Sequence, residues 1–331
     1  MQPQVQNLRM PKGQGSQFRT ALARCLPGPV LFPLIGLVVV CLAMVVASDA
    51  FLSVDNLVNI GRQVSINAII AVGMTCVILS GGIDLSVGSV MALSGTLTAG
   101  LMVAGLPAPL AILLGLAAGL ACGIANGFFV AYSKMPPIIV TLATMGIARG
   151  LALIYTGGYP IDGLPDWFEI FGRGHVLGLQ MPIVVMLLVF AMAYVLLDRT
   201  AIGRYIYAIG GNEQATRLSG IRVSRYKLLV YAISGFTASI AGLVLTSRLM
   251  SGQPNAGISF ELDAIAAVVM GGTSIAGGRG SIIGTLIGAL MLGVLNNGLN
   301  MMGVSPYLQN VVKGAIILLA IYISRERNRI A

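Results

Sequence analysis

The segment DRTAIGRYIYAIGGNEQATRLSGIRVSRYK, Asp198 to Lys227, decides how the rest of the chain is read. It is the one long basic island between apolar segments, with Arg199, Arg204, Arg217, Arg222, Arg225 and Lys227 set against Asp198 and Glu213. In a membrane protein such a bias places a loop on the cytoplasmic side. Within the island Gly210 and Gly211 break the chain, Asn212 is suited to N-cap, and Glu213 to Ser219 reads as a short helix closed by Gly220. On the residues alone that helix is either a capped surface element between two spans or a rigid knob offered to a partner.

Working outward, 56% of the 331 residues are hydrophobic and 9% are charged, where a soluble domain carries about 25% charged residues. The mean hydropathy is +0.91. The charges cluster between apolar runs instead of recurring at helical spacing, so the fold class is an all-α polytopic membrane protein. The 43 glycines suit helices that pack closely in lipid. Positive-inside loops account for the net charge of +9, and no nucleic-acid partner is expected. Cys25, Cys41, Cys76 and Cys122 lack paired spacing, and His175 has no companion ligand nearby, so no metal site is expected.

Ten spans are expected, at about 30–47, 64–80, 85–105, 107–131, 137–156, 181–197, 228–246, 262–276, 282–299 and 307–323. Those at 64–80 and 262–276 are short for a bilayer and are expected to be broken or re-entrant. Residues 1–29 carry four basic and no acidic side chains. A signal peptide is the rival reading, but the following run of about 18 apolar residues exceeds the roughly 7–15 of a cleaved core, which favours a cytoplasmic tail and a retained span. The expected organisation is a tail over 1–29, a transmembrane domain over 30–323 with its cytoplasmic loop at 198–227, and a tail over 324–331. Both termini then face the cytoplasm, and fifteen of the 20 basic residues lie inside. Arg62, Arg173 and Arg248, with Glu261 and Asp263, fall in the outer segments, as does the long 157–180 loop containing Trp167.

The chain also resembles itself. From Ala68, AIIAVGMTCVILSGG aligns without gaps on AIAAVVMGGTSIAGG from Ala264, with seven of fifteen positions identical. If this is a structural repeat, it marks two related discontinuous helices, where transport sites tend to sit. After the first copy, Asp84 in GGIDLSVGS is either a gate or a turn residue that caps the next helix. Asn67, Asn126, Asn296, Asn297 and Asn300, with Gln63, Thr141 and Thr144, are candidates to line a hydrated passage for a polyhydroxylated solute. The competing reading makes them hydrogen-bonding glue between helices. Asn296 and Asn300 stand one helical turn apart.

Catalytic residues are not expected. There is no GxxxxGK[ST], none of the four lysines precedes Ser or Thr, and GxSxG and HExxH are absent. Asp84, Arg149 and Lys313 are the ionisable groups near or within spans, which is sparse for a proton-coupled carrier. An external energy source follows. A secondary sugar carrier and a non-transporting scaffold are the alternatives.

FLSVDNLVNI, SINAIIAVGMTCVILSGGIDLSVGS, GRYIYAIGGNEQATRLSGI, ELDAIAAVVMGGTSIAGGRGSIIGTLIGALMLGVLNNGLN and GVSPYLQNVVKGAIILLAI together resemble the permease subunits of bacterial ATP-binding-cassette sugar importers, ribose permease type. The resemblance runs from Phe51 to Ile321 except for the 157–180 loop. It implies a pore of two permease copies in the bacterial inner membrane, a cytoplasmic ATPase that binds ATP and Mg, and a periplasmic sugar-binding protein. This chain itself would hold no cofactor. The resemblance further implies that Asn212, Glu213, Ala215, Arg217 and Gly220 belong to the ATPase-coupling helix, and that the cargo is a monosaccharide, D-ribose first; xylose, galactose, fructose and inositol are carried by other relatives.

Overall fold

The computed structural model describes residues 28–176, 178–305, 307–315 and 318. The expected tails lie outside the described residues, apart from Gly28 and Pro29. In chain order the helices are α1 (Gly28–Ala47), α2 (Val54–Leu79), α3 (Val87–Val103), α4 (Ala108–Ala131), α5 (Pro137–Thr156), α6 (Met181–Tyr194, prolonged by a π turn to Arg199), α7 (Ala201–Gly211), α8 (Glu213–Leu218), α9 (Val223–Leu249), α10 (Phe260–Met270) and α11 (Ile282–Met301). A last helical stretch covers 307–315. Among the described residues, seven helices are long and apolar enough to cross a membrane. Nine of the ten expected spans overlap a helix, the described part of the tenth, 307–315, is helical too, and the chain is an all-α polytopic membrane protein.

The molecule is built around α2. From Val64 to Leu79 every residue but Asn67 is buried, as expected of a helix that is apolar on all sides and enclosed by others. The expectation of a short, broken span at 64–80 is corrected: α2 is one continuous helix of 26 residues. Its first ten residues are polar enough to look like a loop, yet several of them are tied down within the protein. Ser53 N-caps by accepting from Asn56 N at 3.3 Å, and Arg62 Nη2 donates to Asn59 Oδ1 at 2.9 Å. Arg62 therefore sits in a helix and not in an outer loop, and Arg248 in the last turn of α9. By contrast α10 is only 11 residues long, and irregular chain follows it to Ser281, as the short-span expectation anticipated.

Small residues decide how closely the other helices approach. A Cβ on Gly123 of α4 would stand 3.1 Å from Gly235 Cα of α9, and one on Gly127 would stand 2.8 Å from Leu228 Cα. With Gly119, which faces Gly235 and Ser239, these positions recur every fourth residue along one face of α4, while Gly115, one turn earlier, faces Ser94 and Thr98 of α3. The two backbones thus meet along a seam, the arrangement that drives helix association where the solvent is itself apolar. The face of α1 with Ile35, Val39, Leu42 and Val46 is exposed and suits contact with lipid.

The 157–180 segment folds over one end. It holds a 3-10 turn (Asp166–Glu169), a helical turn (Ile170–Arg173) and a hairpin pairing His175–Val176 with Leu179–Gln180. Phe168 is buried against Ala99, Met102, Ala111 and Leu164, and Arg173 Nε donates to Arg248 O at 3.0 Å. Ile161 and Gly252 exchange backbone hydrogen bonds of 3.0 and 2.9 Å. Two segments read from sequence as lying on one side of the membrane are therefore joined to each other.

Candidate functional site

The basic island Asp198 to Lys227 is more helical than its sequence suggests. The approach to the Gly-Gly pair is itself helix α7, capped at Thr200, whose side chain accepts from Gly203 N at 3.4 Å. The break comes one residue later than the glycines, at Asn212 with its extended backbone. Asn212 Oδ1 accepts from Ala215 N at 2.9 Å and starts α8 as the capping argument requires. Gly220, at φ +82, closes it.

One cation from another helix holds α8 in place, and a second braces it from within. Glu213 meets Lys227 of α9 at 2.6 Å and Arg217 at 2.8 Å. Burial pushes the Glu213 carboxyl up, but the hydrogen bonds and charges of Lys227 and Arg217 outweigh it and hold the group below its ordinary value. A cleft of about 320 Å³ lies beside α8, lined by Lys134, Met135, Pro136, Arg217, Val223 and Lys227 among others. Leu218, on the last turn, is 89% exposed, an isolated apolar side chain on an otherwise polar element.

Asp84 is a junction and not merely a turn residue. It is 1% exposed. Its Oδ1 accepts from Ser86 N at 3.0 Å and from Ser86 Oγ at 2.6 Å. The position that N-caps α3 belongs to Ser86, whose hydroxyl makes no cap bond because it is turned to Asp84. Oδ2 accepts from Ser234 Oγ of α9 at 2.7 Å. Asn126 Nδ2 donates to Ser86 Oγ at 2.9 Å, and Thr144 Oγ1 to Asn126 Oδ1 at 2.5 Å. The chain of bonds joins α4, α5, α9 and the turn before α3. Ser86 and Ser234 gave no signal in the sequence, since a serine in an apolar run is ordinary.

Asn67 Nδ2 donates to Asp263 Oδ2 at 3.3 Å, and Lys313 Nζ pairs with the same oxygen at 3.1 Å. Asp263, read from sequence as an outer acid, is instead a buried residue of α10; a carboxylate in that setting needs the cation that Lys313 supplies. Arg149, within α5, donates to the carbonyls of Pro254 and Ala256.

The three asparagines of α11 part company. Asn297 exchanges amide hydrogen bonds with Asn56 of α2 at 2.8 and 3.1 Å. Asn300 Oδ1 accepts from Gln309 Nε2 at 2.8 Å. Asn296 Oδ1 is buried without a partner among the described residues, as is Asn67 Oδ1.

The model for a permease component of the branched-chain amino acid transport system matches residues 56–321. The ribose import permease protein of Bacillus subtilis (strain 168) is 54% identical over 300 residues, 90% of this chain and 93% of that protein. Its namesake in Haemophilus influenzae is 52% identical over 291 residues, 87% and 90% of the two chains. The ribose import permease protein of Escherichia coli (strain K12) is 49% identical over 298 residues, 89% and 93%. No solved structure matches the chain. Matched over most of its length by that model and by these relatives, the chain belongs to the family of transport-system permease components, alongside the ribose import permeases.

Proposed function

We propose that the chain is the transmembrane subunit of an ATP-driven importer that moves D-ribose across the bacterial inner membrane by alternating access. The carrying observation is the near-full-length similarity to proteins named for ribose import, at 49–54% identity. Two copies form the pore, both termini face the cytoplasm, and a periplasmic sugar-binding protein delivers the sugar. ATP and Mg are bound by a cytoplasmic partner, and this chain catalyses nothing itself.

The helix α8 is the contact for that ATPase. It is capped at both ends, braced by Lys227, and offers Leu218 to a groove. An exposed apolar side chain on a rigid helix is suited to a hydrophobic groove on a partner. Of the pathway candidates, Asp84, Asn126, Asn297 and Asn300 have their acceptors engaged within the protein, whereas Asn67 and Asn296 hold acceptor oxygens in reserve for sugar hydroxyls.

Leu218→Asp tests the assignment in the complete transporter. The variant is expected to insert normally while its ATPase no longer co-purifies and ribose uptake driven by ATP is lost. ATPase retention with normal uptake would overturn it, and uptake sustained by a proton or sodium gradient without ATP would replace it with a secondary carrier. A charge swap between Glu213 and Arg217 is a poorer test, because Lys227 would then face an arginine.

A further inference from the structure

Three glycine pairs from distant parts of the chain meet at one point. Gly81 and Gly82 follow α2, Gly210 and Gly211 end α7, and Gly277 and Gly278 lie in the loop after α10. Gly278 N donates to Leu79 O at 3.0 Å. A Cβ on Gly210 would overlap that same carbonyl and the Gly278 amide. One on Gly278 would lie 2.6 Å from Gly211 N, and one on Gly277 would lie 3.0 Å from Gly81 Cα and 3.1 Å from Gly210 Cα. Gly277 and Gly278 also hold φ values of +87 and +71, which side chains rarely tolerate. Here three stretches of main chain touch with nothing between them.

The end of α7 is fixed to this point by more than contact. Ile206 and Ile209 are buried, and Tyr207 Oη donates to Gly280 O at 3.1 Å in the same loop. Asn212, the N-cap of α8, follows Gly211 directly. Packed side chains can give by changing rotamer, whereas backbone seated on backbone cannot, so a displacement of α8 is passed on without being absorbed.

We propose that Gly210 is the positioning residue through which movement of α8 reaches α2 and the 271–281 loop, where the two similar segments of the chain finish. The proposal rests on α8 being the ATPase contact. It assigns the joint the task of converting one cytoplasmic displacement into simultaneous movement of both elements.

The test uses the permease reconstituted with its ATPase and its ribose-binding protein. Gly210→Ala places a methyl group against Leu79 O, while Gly211→Ala, whose Cβ meets nothing within 4 Å, is the control. Tyr207→Phe keeps the ring and removes only the bond to Gly280. Gly210→Ala and Tyr207→Phe are expected to bind the ATPase normally while the ATP hydrolysed per ribose transported rises by roughly tenfold, a coupling loss of ordinary size. Gly211→Ala should stay within roughly twofold of the parent. An unchanged ratio in Gly210→Ala and Tyr207→Phe with the ATPase bound overturns the joint. If Gly210→Ala fails to insert, Tyr207→Phe decides the matter alone. Loss of the underlying reading looks different: Leu218→Asp would still hold the ATPase.

Discussion

Asn67 and Asp263 stand immediately before the two similar segments of the chain, at equivalent positions, and are hydrogen-bonded to each other, Nδ2 to Oδ2 at 3.3 Å. At the other end of the same alignment Gly81 and Gly277 are in backbone contact. With both ends in register, the two segments run side by side in the same direction. They do not share one secondary structure: α2 continues to Leu79, whereas α10 stops at Met270 and leaves the second segment to finish as irregular chain.

Lys313 is the cation that makes Asp263 tolerable between helices. Lys313→Met should lower thermal stability in detergent by about 3–5 kcal/mol, the cost of stranding one member of a buried pair. Combining it with Asp263→Asn should recover most of that loss. A double variant as unstable as Lys313→Met alone would show that the pair carries no mutual compensation.

Asp84 accepts from three donors on two segments. Asp84→Asn replaces a charged acceptor with a neutral amide and forces the Ser234 hydroxyl to turn from donor to acceptor, and is expected to cost about 2 kcal/mol, with Ser234→Ala costing less because the carboxylate keeps both Ser86 bonds. Melting of the two purified variants gives the order, and a more damaging Ser234→Ala would refute it.

Asn67 and Asn296 are expected to act on sugar and Asn297 on structure. Asn296→Ala should raise the ribose concentration for half-maximal transport by roughly 2–10-fold, one lost hydrogen bond, at unchanged protein level, and Asn67→Ala should do the same while also costing stability, because Asp263 loses a donor. Asn297→Ala should instead lower stability, since Asn56 loses its reciprocal partner. Transport titrations beside expression levels separate the two behaviours.

Glu213 sets the pH range over which α8 stays braced. Its folded value lies below the ordinary 4.5, so its contribution is complete above that value and is lost as the pH falls through the depressed one. A fluorescent probe on α8 should report no change across neutral pH and a loosening only under acid. Glu213→Gln should abolish that acid step, and an unaltered step would point to another group.

The helices were legible because lipid demands long apolar runs, and α8 because its start and stop signals, Asn212 and Gly220, are local. The start of α2 was not legible. Asn56 reads as a loop residue until Asn297, far along the chain, is seen to receive it. Asp84 was recognisable as a turn residue from its neighbours, but its tie to Ser234 spans 150 positions and neither residue type announces it. Glu213 and Lys227 are 14 apart, outside any helical spacing, so the brace on α8 was hidden even though both residues belonged to the island.

The seam between α4 and α9 has a consequence for how this chain can vary. Every single-base change that alters a glycine codon's meaning gives a larger residue or a stop, and Gly123 and Gly235 have main chain where any larger side chain would go. A neighbouring substitution cannot make room, because the obstruction is backbone. The seam is a place where drift can only subtract, and descendants of this sequence are bound to keep it or to lose the contact altogether.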